Sequence, residues 1–361
     1  MQDLEISGQN LSLPFGVNEL LAGLRRYHHD VSMQIEGIQT FSVPRKHSSL
    51  SKVTGLEIFT RGTSGENTSK VVVKEPRGVT RTGQAGVGKR EIGIYRSLSS
   101  QLPLDLPDLV ACSDYGEWLV LQYRPGSLDP GKWTATEYER AVENLARLHD
   151  RFWDLGDDLL AYNWLARPLE TDFEIHVSAA AKAIEALVYE GKPSQLAESQ
   201  DLVAALADLT INAPSILDAL SSQPRVLLHG DYWPGNIAAE ESGGHTVYDW
   251  QHAAIGPAVL DLVDFCKKSS WWFDPLPISE KKIIQYYRKC IKERVGYSWD
   301  KGTWERIWDH AVMWCFLQDL VDILVASPNS ILEARWELLE LIWFDPVLNA
   351  VAKWLKGKGT S

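Results

Sequence analysis

Between Val226 and Phe265 the chain reads VLLHGDYWPGNIAAEESGGHTVYDWQHAAIGPAVLDLVDF, and three residues in it could do chemistry together. Asp231 is followed five positions later by Asn236, and eighteen positions on by Asp249. Carboxylate and amide oxygens are hard ligands. Mg²⁺ is commonly held by one or two carboxylates plus the phosphates of its nucleotide. Asn236 and Asp249 suit such a metal–phosphate site, which leaves Asp231 to accept the proton of an attacking hydroxyl. The elements that must position them are short. Val226–Leu228 is an apolar run and reads as a buried strand. His229-Gly230-Asp231 breaks it, and Pro234-Gly235 and Gly243-Gly244 turn the chain. Thr246–Tyr248 reads as a second strand that delivers Asp249.

An Asp, an Asn five residues on, and then a metal-binding Asp is the spacing of a kinase catalytic loop. Here His229-Gly230-Asp231 stands in place of the His-Arg-Asp of protein kinases, and Asp249-Trp250-Gln251 in place of their Asp-Phe-Gly. The combination HGD-x4-N, DW and GP-x3-DL resembles the aminoglycoside phosphotransferase and choline kinase superfamily, small-molecule kinases with the protein-kinase fold. The resemblance implies that Asp231 is the base or orients the nucleophile, and that Asn236 and Asp249 bind Mg²⁺. It also implies that His229 supports the loop, and that Asp261 starts a helix beneath the loop and braces it by hydrogen bonds. The implied cofactors are ATP, or GTP, and Mg²⁺.

Residues 36–126 are expected to form a nucleotide-binding lobe of strands with one helix. Ile38–Val43, Ser51–Thr60 and Lys70–Lys74 read as strands, and the polar run Arg61–Ser69 as a turn. Lys74 closes an apolar strand, and the resemblance sets it on the α- and β-phosphates. Arg90–Leu98 has a helical pattern with Glu91 in its first turn, either as the partner of Lys74 or as a favourable charge at a helix N-terminus. The phosphate-covering loop is expected at Pro44–Ser49, where Ser48 and Ser49 replace the usual glycines. Glycines 83, 86 and 88 read as a flexible connector. Trp118–Leu121 reads as the strand leading to the hinge, where adenine would bond the backbone near Gln122 and Tyr123. Ahead of this lobe, residues 1–35 are expected to be an extension with one helix, at Val17–His29.

Residues 127–361 are expected to form the larger helical lobe, carrying the catalytic loop, metal site and acceptor site. Glu137–Trp153 repeats apolar residues at three- and four-residue steps, with His149 in a structural role. Tryptophans crowd the last ninety residues. Large aromatic rings on helices are mostly core, although a carbohydrate acceptor would stack on one or two. Asp319 and Asp322, three apart on a helix expected over about 303–326, are either a solvated face or receivers of a cationic acceptor.

The net charge of −12 disfavours a nucleic-acid partner and fits a cationic acceptor. Four scattered cysteines without a Cys-x-x-Cys pair fit a reduced cytoplasmic protein; the start MQDLEISGQN, with neither a basic opening nor an apolar core, is not expected to be a signal peptide, and no run of eighteen apolar residues is present to span a membrane. The expected fold is α+β, two-lobed and protein-kinase-like. The expected function is transfer of a γ-phosphoryl group to a hydroxyl of an aminoglycoside-like antibiotic, amino sugar, sugar or amino alcohol, by a monomer or homodimer. A non-catalytic nucleotide-binding regulator is one alternative, although the base and metal ligands are all present. A protein kinase is the other, although only six residues separate Trp250 from Pro257 and leave no activation segment.

Overall fold

The computed structural model describes residues 13–44, 51–76 and 86–355. They form two compact units. The first holds the described residues up to Pro76, together with Gly86–Asp129 and Gly235–His252; the second holds Pro130–Pro234 and the described residues from Ala253 on. The division expected at residue 126 thus falls at 129, and one stretch of the later sequence joins the first unit.

The first unit is an antiparallel sheet of β1 (Gln34–Phe41), β2 (Ser51–Gly62), β3 (Gly65–Pro76), β4 (Leu109–Cys112) and β5 (Leu119–Gln122), in the order β1-β2-β3-β5-β4. Helix α1 (Val17–Tyr27) lies on one face, where Leu20 and Leu24 join Ile38, Leu56, Val71, Val73 and Val120 in a core. The polar run Arg61–Ser69 is not a turn: only Thr63 and Ser64 turn, and Gly65 onward is already strand. A two-residue hairpin loop carries both strands to its tip, and polar residues on a solvated ladder look in sequence like turn residues. Asp30 secures the tip, accepting from the Thr63 N–H and hydroxyl at 2.7 and 2.8 Å.

Side-chain parity on β3 decides where Lys74 goes. Val71 and Val73 point into the core beneath α1, so Val72 and Lys74 point to the opposite face. There α2 (Val87–Gly93) packs, continued by a π-helical turn at Ile94–Leu98. Gly88 is no flexible connector, because a Cβ on it would lie 1.9 Å from the Gly116 carbonyl. Glycine is required there for close packing. The stretch Gly235–His252 adds a hairpin of Ile237–Ala239 and His245–Val247, followed by a short turn at Trp250–His252.

The second unit is mostly helical. Its helix α3 (Ala135–Arg151) starts at a capping box, in which Thr134 accepts from the Thr136 N–H and Glu137 accepts from the Thr134 N–H. Tyr138, Ala141, Val142, Leu145, Leu148 and His149 form its buried stripe. Burial contributes about 1.5–3 kcal/mol for each of the larger apolar side chains. Arg225–Leu228 pairs antiparallel with Ala254–Pro257, with Leu227 opposite Ile255. The few residues from Trp250 to Pro257 are therefore committed to a short turn and a paired strand, which leaves no room between them for an activation segment. Helix Val259–Phe273 is buried on all sides from Val259 to Lys267, as expected of a helix through the centre of a unit. The late tryptophans are less uniformly core than expected: Trp299, Trp304, Trp314 and Trp343 are buried, Trp271, Trp308, Trp336 and Trp354 are half-buried, and Trp272 is exposed. Among the described residues no single helix is long and apolar enough to cross a membrane.

Candidate active site

The predicted site residues fall into two groups, one in each unit. In the second unit, Asp231 sits on the loop that follows Leu228. Gly230 has φ of 76°, a left-handed conformation that glycine adopts at no steric cost. The buried Asp261 carboxylate fixes the turn. Its Oδ2 accepts from the His229 N–H and its Oδ1 from the Gly230 N–H, both at 2.8 Å. His149 Nε2 lies 3.2 Å from the same Oδ2, and its Nδ1 lies 2.7 Å from the Tyr287 hydroxyl. The Asp231 N–H donates to His229 Nδ1 at 3.2 Å, and the Tyr232 hydroxyl donates to the Ala141 carbonyl at 2.8 Å. The loop is therefore held from α3 and from the helix Val259–Phe273 together.

Deleting the Asp261 carboxylate removes the buried acceptor of two loop N–H groups. Each such loss costs about 1–3 kcal/mol. Asp261→Ala is expected to lower the unfolding free energy by roughly 2–6 kcal/mol, read by urea denaturation. A variant within 0.5 kcal/mol of the parent (about the scatter of surface substitutions) would show that the loop is held by other means.

In the first unit, Lys74, Glu91 and Asp249 converge from β3, α2 and the end of the hairpin. Lys74 Nζ is 2.6 Å from Glu91 Oε2 and 2.5 Å from Asp249 Oδ1. Burial opposes the charge on Lys74, but the Asp249 and Glu91 carboxylates outweigh it and the ammonium titrates above its ordinary range. Burial pushes the Glu91 carboxyl up to about 7, against the pull of Lys74. Glu91 is the fifth residue of α2 rather than part of its first turn, so the N-terminal dipole reading does not apply. Asp249 has φ of 67°. For a residue with a Cβ, that conformation costs about 1–2 kcal/mol, and such strain clusters at functional sites. Asn236 closes the short turn Pro234–Asn236 and is buried; its carbonyl accepts from the Tyr248 N–H at 3.1 Å. That bond sets Asn236 beside the residue preceding Asp249. A carboxylate and an amide oxygen so arranged suit Mg²⁺, which takes its remaining ligands from phosphates and water. Among the described residues no group of three or more His, Cys, Asp or Glu could hold a metal by itself.

Gln122 ends β5 and Tyr123 follows it, but their N–H groups already donate to the carbonyls of Asp108 and Lys70, both at 2.9 Å. An adenine bonded here must find its donor elsewhere. Ser48 and Ser49 lie outside the described residues, as does Gly83.

Asp319 and Asp322 do not share a regular helix. Asp319 lies in a π-helical turn, Phe316–Leu320, between Lys301–Cys315 and Val321–Ala326. The wider turn changes the face on which Asp322 follows. Asp319 already meets a cation of this chain, since its Oδ2 lies 3.5 Å from Lys268 Nζ. Sequence reasoning passed over Lys268, which also bridges Asp231 and Asp264 at 2.7 and 2.9 Å. The signal was present: Asp261, Asp264 and Lys268 recur three and four residues apart, on one face of the helix Val259–Phe273.

A small sheet unit with a Lys–Glu–Asp constellation and a helical unit holding a His-Gly-Asp loop define a protein-kinase-like phosphotransferase. A model of the phosphotransferase enzyme family matches residues 59–293, and the chain belongs to that family. It is a small-molecule kinase with a hydroxyl acceptor. Among solved structures it is similar to an aminoglycoside phosphotransferase from Alicyclobacillus acidocaldarius subsp. acidocaldarius DSM 446. The two are 12% identical over 96% of this chain and 97% of that one, with a TM-score of 0.54. It is also similar to an ethanolamine kinase of Plasmodium vivax, at 12% identity, with 82% of this chain and 79% of that one covered and a TM-score of 0.50. At such identity the likeness establishes the fold. No curated protein matches the chain.

Proposed function

We propose that the phosphoryl donor is ATP, or GTP, bound with Mg²⁺, and that the acceptor is a sugar, an amino sugar, an aminoglycoside-like antibiotic or an amino alcohol. One observation carries the nucleotide half: an ammonium held between two carboxylates from three separate elements, Lys74 with Glu91 and Asp249. In this reading Lys74 binds the α- and β-phosphates, and Glu91 keeps it aimed. Asn236 and Asp249 hold Mg²⁺, which when bound neutralises charge on the β- and γ-phosphates. Asp231 takes the proton of the acceptor hydroxyl as that oxygen bonds to the γ-phosphorus and the bond to the β-phosphate oxygen breaks. Alignment and charge neutralisation then supply most of the rate. The four free thiols, three of them buried, suit a cytoplasmic setting.

The acceptor class is supported by the activities of the two similar proteins, an aminoglycoside phosphotransferase and an ethanolamine kinase, and by an aromatic wall near the loop. Trp233, two residues after Asp231, stacks against Trp272 at 6.2 Å and 28° and against Phe273 at 6.0 Å and 29°. Trp272 keeps 40% of its surface exposed, as a ring that receives a sugar face would. The test is nucleotide consumption across sugars, amino sugars, aminoglycosides and amino alcohols. With a carbohydrate acceptor, Trp272→Ala is expected to raise the acceptor KM several-fold, for a loss of about 1 kcal/mol of stacking, and to leave the nucleotide KM alone. No turnover with any of these classes would overturn this assignment of the acceptor.

A further inference from the structure

We propose that Lys268 is a positioning residue for the reaction, a built-in cation that pins the Asp231 carboxylate and keeps it ionised. The inference rests on the reading of Asp231 as proton acceptor. It starts from a bond between distant parts of one unit: Lys268 Nζ lies 2.7 Å from Asp231 Oδ1. The same ammonium is 2.9 Å from Asp264 Oδ2 and 3.5 Å from Asp319 Oδ2. An ammonium has three donors, and three carboxylates take them. The lysine side chain is only 14% exposed, and that of Asp231 19%.

Three features argue that this cluster serves the chemistry. The first is economy: buried ion clusters add little to stability, and apolar replacements are often as stable. A fold that keeps three carboxylates and a lysine beside its reactive loop is using them. The second is rigidity. Asp264 and Lys268 stand four residues apart on the helix Val259–Phe273, whose Asp261 also holds the loop N–H groups. One helix therefore fixes both the loop backbone and the orientation of the Asp231 carboxyl. The torsion that aims a carboxyl is soft, and the ammonium restricts it. The third is charge. Burial opposes the charge on Lys268, but Asp231, Asp264 and Asp319 outweigh it, so it stays an ammonium. Burial raises the Asp264 carboxyl well above its ordinary range, against the pull of Lys268, and Asp231 and Asp319 add to the rise. Cys315, also near this charge, is buried and held up as a thiol. A cation bonded to Asp231 favours its charged form and widens the pH range over which it can accept a proton.

The probe is MgATP with water as the attacking hydroxyl, followed by phosphate release, so that no acceptor identity is assumed. Lys268→Met is expected to slow turnover roughly 10- to 100-fold, the scale of a misplaced reacting group. It should also move the acidic limb of the pH profile to higher pH while leaving the nucleotide Kd unchanged. Lys268→Arg, which restores the charge, should return the limb most of the way. If Lys268→Met does not fold, Lys268→Met/Asp264→Asn removes the cation together with its buried partner and should show the same limb shift. An unmoved limb with parental turnover in either variant overturns the proposal, and so does faster turnover, which would make the bridge inhibitory. Asp231→Asn run alongside separates the two readings: if it keeps turnover, the base assignment itself fails, whereas an inactive Asp231→Asn beside an unaffected Lys268→Met sinks this inference alone.

Discussion

Asp231→Asn is expected to lower kcat by roughly 10²–10⁴, the contribution of a positioned general base. An amide cannot take a proton from the attacking hydroxyl, and it also gives up its ion pair with Lys268. The loop should survive the change. Its backbone is held by Asp261 through His229 and Gly230, and the neighbouring Tyr232 hydroxyl bonds the Ala141 carbonyl. Nucleotide affinity should therefore change little, because Lys74, proposed to bind the phosphates, and Glu91, which aims it, belong to the other unit. Steady-state kinetics with the acceptor found by screening, together with calorimetric titration of MgATP, measures both. Near-parental turnover would remove Asp231 from the reaction, and a collapsed nucleotide affinity would mean that the loop had rearranged.

Asp249→Ala acts on the nucleotide half of the reaction. The carboxylate faces Lys74 at 2.5 Å and is the only charged ligand proposed for Mg²⁺. Its loss is expected to lower turnover by roughly 10³-fold or more, since a metal's charge stabilisation is worth several kcal/mol. Mg²⁺ should no longer strengthen nucleotide binding. In metal-free buffer, affinity should hold or rise, because a negative charge beside the phosphates has gone while Lys74 keeps Glu91 as a partner. Titrating ATP with and without Mg²⁺ decides it. An Asp249→Ala protein whose affinity still depends on Mg²⁺ would place the metal elsewhere.

The chemistry was legible because it rests on local spacing. Asp231, Asn236 and Asp249 lie within one stretch, and tight turns between short strands leave few ways to arrange them. The role expected of Lys74 came from the family likeness, and the structure adds that parity with Val71 and Val73 sets its side chain on the face opposite them. The helical character of the later chain followed from apolar periodicity. The hairpin tip was misread because polar strand residues and turn residues are drawn from the same set, and only the ladder from Ser51 to Pro76 tells them apart.

What the tertiary structure decided is pairing at long range. Sequence placed Asp319 and Asp322 on a helix face, but a π-helical turn altered that face, and a lysine fifty-one residues earlier took the first carboxylate. Sequence offered the Gln122 and Tyr123 backbone to adenine, but Asp108 and Lys70 already accept from those N–H groups. It left Asp261 as a helix-start residue whose partners came only from a family likeness, whereas the fold shows its two oxygens shared among His229, Gly230 and His149. A side chain's local pattern states which face it occupies and at what spacing. Which charge meets it there depends on elements tens or hundreds of residues away, and burial sets how strongly they act on one another.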